Sequence, residues 1–187
     1  MACNITLPSD ITYSCDDVAI GGIIELHVAN REDVLAVLTK DDDARTISAG
    51  TALAAGDVTQ ISFNNKDGFS VFSEVKTVSA DGIVSTVPTI SVEVPKLTAD
   101  KVTALNDLSK GGAELVAFVR TAAGTYHVSG LDYGLYGGTV DVNSGTGRAE
   151  KNRAQFTLTG DEQGLSYSIT GADEAAIKGI FDTIVGN

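Results

Sequence analysis

Apolar residues alternate with polar ones along much of the chain, the period of two that marks β-strands with one face covered. The clearest case is "IVSTVPTISVEV". Ile90, Val92 and Val94 fall on one phase, and Thr89, Ser91 and Glu93 on the other, with Pro88 marking an edge position or a bend just before that run. "IGGIIELHVAN" predicts a strand from about Ile23, with Ile24, Leu26 and Val28 opposite Ile23, Glu25, His27 and Ala29. A second short apolar run, Val34 to Thr39, follows, joined to the first through the polar Asn30, Arg31, Glu32 and Asp33. "VTQISFNNKDGFSVFSEVKTVSA" predicts two strands about a turn at 64–68. "ELVAFVR" is apolar on both phases, as a central strand covered on both faces would be. After the turn Ala122-Ala123-Gly124 comes "TYHVSG". "AQFTLTG" and "LSYSIT" read as a hairpin about Asp161–Gly164, with Phe156, Leu158, Leu165, Tyr167 and Ile169 sharing one theme.

The period changes to that of a helix twice. In "PKLTADKVTALNDLSKGG", Thr98 is placed to cap and Asp100 sits in the first turn. Leu97 can staple against Val102, the stripe is Val102, Leu105 and Leu108, and Gly111 ends it. In "ADEAAIKGIFDTIVGN", Ala176, Ile177, Ile180, Phe181 and Ile184 form one face, which predicts a C-terminal helix over 172–186. Three stretches read as irregular: an N-terminal arm over 1–18, a long loop over 40–57, and a loop over 138–154. The sum is one mainly β domain, an antiparallel sandwich or barrel with a short flanking α-helix and a terminal helix.

Composition narrows the function. The 187 residues carry 25 acidic and 13 basic side chains, a formal charge of −12. No basic cluster offers itself to phosphates, so specific DNA or RNA binding is not expected, although a polyanion would pass such a surface without adhering. Cys3 and Cys15 read as free thiols in a reducing compartment, with a disulfide as the other option. No signal peptide and no membrane span is expected from the sequence.

Catalytic motifs are scarce. "GTGRAE", 145–150, starts like a dinucleotide fingerprint but lacks the third glycine and a following helix. His27 and His127 each sit in an alternating strand and, with Glu25, would be the nearest thing to a metal set; two ordinary strand histidines is the simpler reading. Asp41-Asp42-Asp43 lacks calcium-loop spacing and reads as a solvated loop. The chain has no Trp for a sugar-stacking platform. No catalytic, metal or cofactor residue is assigned, and the expectation is a protein that is not an enzyme.

The C-terminal half has an order of its own. It runs "ELVAFVR", a Gly turn, "TYHVSGLDYGLYGGTVDVNSGTG", the break "RAEKNRA", then "QFTLTGDEQGLSYSIT". Together with "GGIIELHVANREDV" near the start, it resembles the tail tube and related structural proteins of tailed bacteriophages; residues 40–57 match nothing in that pattern. The resemblance implies a structural virion protein assembled in the host cytoplasm. It implies rings of six copies stacked into a hollow tail tube, other tail proteins as partners, and DNA passing through without specific binding. Other readings are a tail terminator, baseplate hub or head-decoration protein, or a β-sandwich carbohydrate-binding module. Within "GLDYGLYGG", glycines including Gly134 would bend or thin a strand. Leu131, Tyr133 and Tyr136 would pack in the sandwich or against a neighbouring subunit.

Overall fold

The computed structural model describes residues 21–61, 63, 70–95, 98–110, 112–143 and 153–186. The expected N-terminal arm, Cys3 and Cys15, the turn at 64–68, Leu97, Gly111 and the 145–150 motif lie outside them. In chain order the elements are β1 (Ile23–Asn30), α1 (Arg31–Val37), β2 (Leu38–Asp41), β3 (Thr46–Gly50), β4 (Val58–Gln60), β5 (Val71–Val78) and β6 (Val84–Pro95). They continue with α2 (Ala99–Leu108), β7 (Leu115–Thr121), β8 (Tyr126–Ser129), β9 (Leu135–Asn143), β10 (Arg153–Gly160), β11 (Tyr167–Ile169) and α3 (Glu174–Val185).

The strands form one hydrogen-bonded sheet in the order β2-β3-β11-β8-β7-β9-β10-β6-β5, with β1 paired to β7 and β4 to β1. β7 and β9 share a single pair, Leu115–Leu135, so the sheet doubles over there into two leaves. One leaf is β4-β1-β7-β8-β11-β3-β2 and the other is β9-β10-β6-β5. The expected sandwich with helices on its flank is what forms, although the sheet is mixed, because β11 runs parallel to β3.

Two cores follow from this doubling. Between the leaves lie Ile23, Leu26 and Val28 of β1, Ile90, Val92 and Val94 of β6, Leu115, Ala117 and Val119 of β7, and Phe156 and Leu158 of β10, with Leu105 of α2. On the other face of the larger leaf, Val116 and Phe118 of β7 pack with Val128, Tyr167, Ile169, Val34 of α1 and Phe181 and Ile184 of α3. β7 therefore fills both cores, as its apolar residues on both phases require. Burying each such side chain is worth about 1.5–3 kcal/mol.

Helix ends are set locally. The Thr98 side chain accepts a hydrogen bond from Lys101 N, and that of Asp173 from Ala176 N. Gly186, at φ 74°, closes α3 in the left-handed conformation. On α2 only part of the expected stripe is covered: Leu105 is buried, while Val102 is exposed.

Several local expectations are corrected. The connection after Asn30 and the run Val34–Thr39 are not separate pieces: α1 takes Arg31 to Val37, and β2 begins at Leu38. Residues 40–57 are not one loop, since Asp41 ends β2 and Thr46–Gly50 is β3, its antiparallel partner. The strands β4 and β5 do not pair with each other; β4 joins β1 and β5 joins β6. Neither do β10 and β11, which belong to different leaves, so Phe156 and Leu158 face one core and Tyr167 and Ile169 the other, with Leu165 exposed between them. Residues 138–143 extend β9 along β10, down to the pair Arg153–Asn143. In β1 a bulge between Ile23 and Glu25 shifts the phase, putting Ile23 with Leu26 and Val28 and leaving Ile24 exposed. β6 runs through Pro88 with β5 on one side. On the other side the β10 ladder stops at Thr89 and only the Thr86–Glu162 bridge follows, so the missing N–H of Pro88 faces the interruption.

Candidate functional site

Two neighbouring features stand out from the regular sandwich: a polar corner and an exposed hairpin. The corner is residues 130–134. β8 ends at Ser129 opposite Ala117 of β7, and Leu135 rejoins β7 opposite Leu115 as the first residue of β9. The intervening residues loop out, and β9 departs into the second leaf, the way a strand changes sheets at a sandwich corner. Both ends of the loop need glycine. Gly130 has φ +95° and a Cβ there would lie 2.4 Å from the Leu115 carbonyl oxygen. Gly134 has φ +87° and its Cβ would lie 2.7 Å from that of Glu114.

Side chains distant in sequence pin this loop. Glu162, almost fully buried, accepts from Asp132 N (2.9 Å) with one carboxylate oxygen and from Tyr133 N (3.1 Å) with the other. Arg31, at the start of α1, donates to the carbonyls of Leu131 (3.1 Å) and Asp132 (2.7 Å) and pairs with Glu114 (2.9 Å). Arg45, from the β2–β3 turn, pairs with the Asp132 carboxylate at 3.0 Å and lies over the Tyr167 ring, 4.1 Å from its centre. The Tyr167 hydroxyl donates to Asp42 (2.6 Å) and to Asp132 (3.2 Å). An open depression of about 450 Å³ lies over these groups.

The electrostatics match the packing. Burial, opposed by the two backbone donors, pushes the Glu162 carboxyl above the usual carboxylate range. Burial, with the hydrogen bond to Asp42, pushes the Tyr167 hydroxyl up. Asp42 is held below its ordinary value by its hydrogen bonds from Lys40 and Tyr167. These carboxylates are committed to backbone donors, arginines, a lysine or a tyrosine, so what the cluster does chemically is brace a corner.

The residues singled out in "GLDYGLYGG" divide. Leu131 is buried in the core beside α3 and Gly134 is the second hinge of the corner. Tyr133 and Tyr136 are 56% and 52% exposed, so neither packs inside the sandwich. The Tyr133 hydroxyl accepts from Gln163 Nε2 at 2.6 Å. His27 and His127 point to opposite faces of the larger leaf: His27 meets Glu25 (2.9 Å) and the edge of Phe181, whereas His127 meets Thr125 (3.0 Å) and Phe72. They cannot share an ion. Burial lowers the His127 pKa. Asp41 caps Ala44 N at 2.9 Å in the β2–β3 turn.

The second feature is the β5–β6 hairpin. Its strands pair from Val71–Ser91 out to Val78–Val84. β10 accompanies β6 only as far as Thr89, and Glu162 bridges to Thr86. Beyond that point, among the described residues, the two strands pair only with each other. The pair Val78–Val84 continues the face of Phe72 and Ile90, and Val75–Val87 lies on the opposite face. Val75 is 62% exposed, Ile83 at the turn 67%, and Val78 and Val84 are also exposed. The base is held firmly: Glu74 accepts from Ser166 N (2.8 Å) and Ser166 Oγ (3.0 Å). The tip is a turn with Ser79 N donating to Ile83 O (2.8 Å) and Gly82 at φ 78°.

Sequence reasoning missed the corner cluster, because Arg31, Arg45, Asp132 and Glu162 lie far apart in the chain. The two glycines bracketing "LDY" were its one local signal. The hairpin's valines were visible, but not that their sheet would end beneath them. Compared with known proteins, the chain matches no family model, no curated protein and no solved structure.

Proposed function

We propose that this chain is a structural subunit that assembles with copies of itself, the major tail tube protein of a tailed bacteriophage, forming stacked rings around a channel for DNA. The observation that carries the reading is the β5–β6 hairpin. A two-stranded ribbon is marginal in water by itself, and this one presents exposed valines on both faces, with no element among the described residues over them. Exposed apolar pairs projecting on such a ribbon suit an interaction site. The β-sandwich flanked by helices is the architecture that the resemblance implies, and the charge of −12 suits a channel through which a polyanion must slide.

Electron microscopy of the purified full chain tests the reading. Rings or hollow tubes are the expected product. A particle that stays monomeric at high concentration and binds glycans would replace it with a carbohydrate-binding module. Closed single rings without stacking would favour a tail terminator.

A further inference from the structure

A ribbon with apolar residues on both faces needs an apolar receptor, and the molecule carries one at its other end. Between α2, β4 and the end of β6 lies a groove of about 150 Å³. Its floor is Ile61, Val94 and Leu105, its sides Ala104 and Leu108, and Lys101 stands at the rim. The Lys101 Nζ donates to the carbonyl oxygen of Pro95 at 2.7 Å, a neutral acceptor, so it stands at the rim with its positive charge. At the tip of the ribbon, Asp81 is exposed beside Ile83.

β6 sets the geometry. The ribbon leaves from its Val84 end and the groove opens at its Val94 end, ten residues away and so about 33 Å along the strand. A hairpin braced at its base by Glu74 and Glu162 cannot turn back to fill its own groove. Donor and receptor also differ in shape, so the contact is not self-complementary. Such heterologous contacts run head to tail and propagate until they close or extend.

We propose that the β5–β6 hairpin of one copy seats Val78, Ile83 and Val84 in the α2–β4–β6 groove of a second copy, with Asp81 paired to Lys101 at the rim. The assignment rests on the self-assembly proposed above and names the two surfaces that meet. The occupant is a second copy because the apolar ribbon with its acidic tip and the apolar groove with its basic rim lie at opposite ends of β6 in the same molecule.

Complementation between two variants tests it. Ile83→Asp disables the ribbon and keeps the groove; Ala104→Glu disables the groove and keeps the ribbon. Both positions are exposed, so each variant keeps the melting temperature of the monomer. Analytical ultracentrifugation of the full chain should show each variant alone associating at least tenfold more weakly than the native protein. An equimolar mixture should form pairs that grow no further, because one ribbon meets one groove and both outer ends are dead. Should either variant fold poorly, the charge swap replaces it: Asp81→Lys and Lys101→Glu each weaken assembly alone and restore it when combined in one chain. Ala104→Glu assembling as well as the native protein, or a mixture that stays monomeric, overturns the hairpin-in-groove contact and leaves self-assembly standing. A native chain that never associates overturns both.

Discussion

The corner and the hairpin touch through the same residue and yet solve opposite problems. At the corner, backbone groups freed by a break between strands are met inside the chain: Glu162 takes two N–H groups and Arg31 covers two carbonyls. Along the hairpin, the backbone is paired but the valines are not covered. Folding covers the first region and leaves the valines of the second in water. Polar groups buried without partners cost too much to leave open, whereas apolar side chains can wait in water for a neighbour at a smaller cost.

That contrast can be broken first at the corner. Gly130→Val forces a branched side chain into a left-handed backbone against the Leu115 carbonyl, and should cost about 4 kcal/mol or more, enough to lose the folded chain in circular dichroism. Gly134→Val should behave alike, since Glu114 blocks its Cβ. Glu162→Ala leaves the N–H groups of Asp132 and Tyr133 without acceptors, and about 2–4 kcal/mol should vanish from urea unfolding.

Acid gives a subtler probe. Burial raises the carboxyls of both Glu162 and Glu74 in the folded state. The native form therefore takes up these protons before the unfolded chain does. Their charged forms weaken the fold above the raised values. Stability then rises as pH falls through those values and levels off below the ordinary carboxylate range. Glu74→Gln should flatten part of this rise in denaturation curves measured between pH 7 and pH 4. The smallest effect belongs to the ribbon: Val75→Thr should change the stability of the monomer by no more than about 0.5 kcal/mol, since its side chain is mostly in water already. A large loss there would mean that the hairpin is covered within its own chain.

Sequence periodicity read the elements well where burial was simple. β7 showed its two covered faces in "LVAFV", β6 its alternation, and α3 its stripe. Short apolar runs were ambiguous. Val34–Thr39 divides between helix and strand, and the acidic pair Glu32 and Asp33 in the first turn of α1 was the local hint of the helix. Pairing was the least legible, because adjacency in sequence is not adjacency in a doubled sheet. The segment 161–166 looks like a hairpin turn, yet it carries the chain from one core to the other. The corner cluster joins residues about a hundred positions apart, as with Arg31 and Leu131, a relation that no local pattern encodes.

β7 has a last consequence. A single ribbon of backbone whose alternate side chains are shared between two oily interiors couples them, so that melting one is expected to disturb the other. Pulling on the larger leaf therefore strains the same seven residues, Leu115 to Thr121, that line both interiors, so in the assembly proposed above each subunit would yield as a whole.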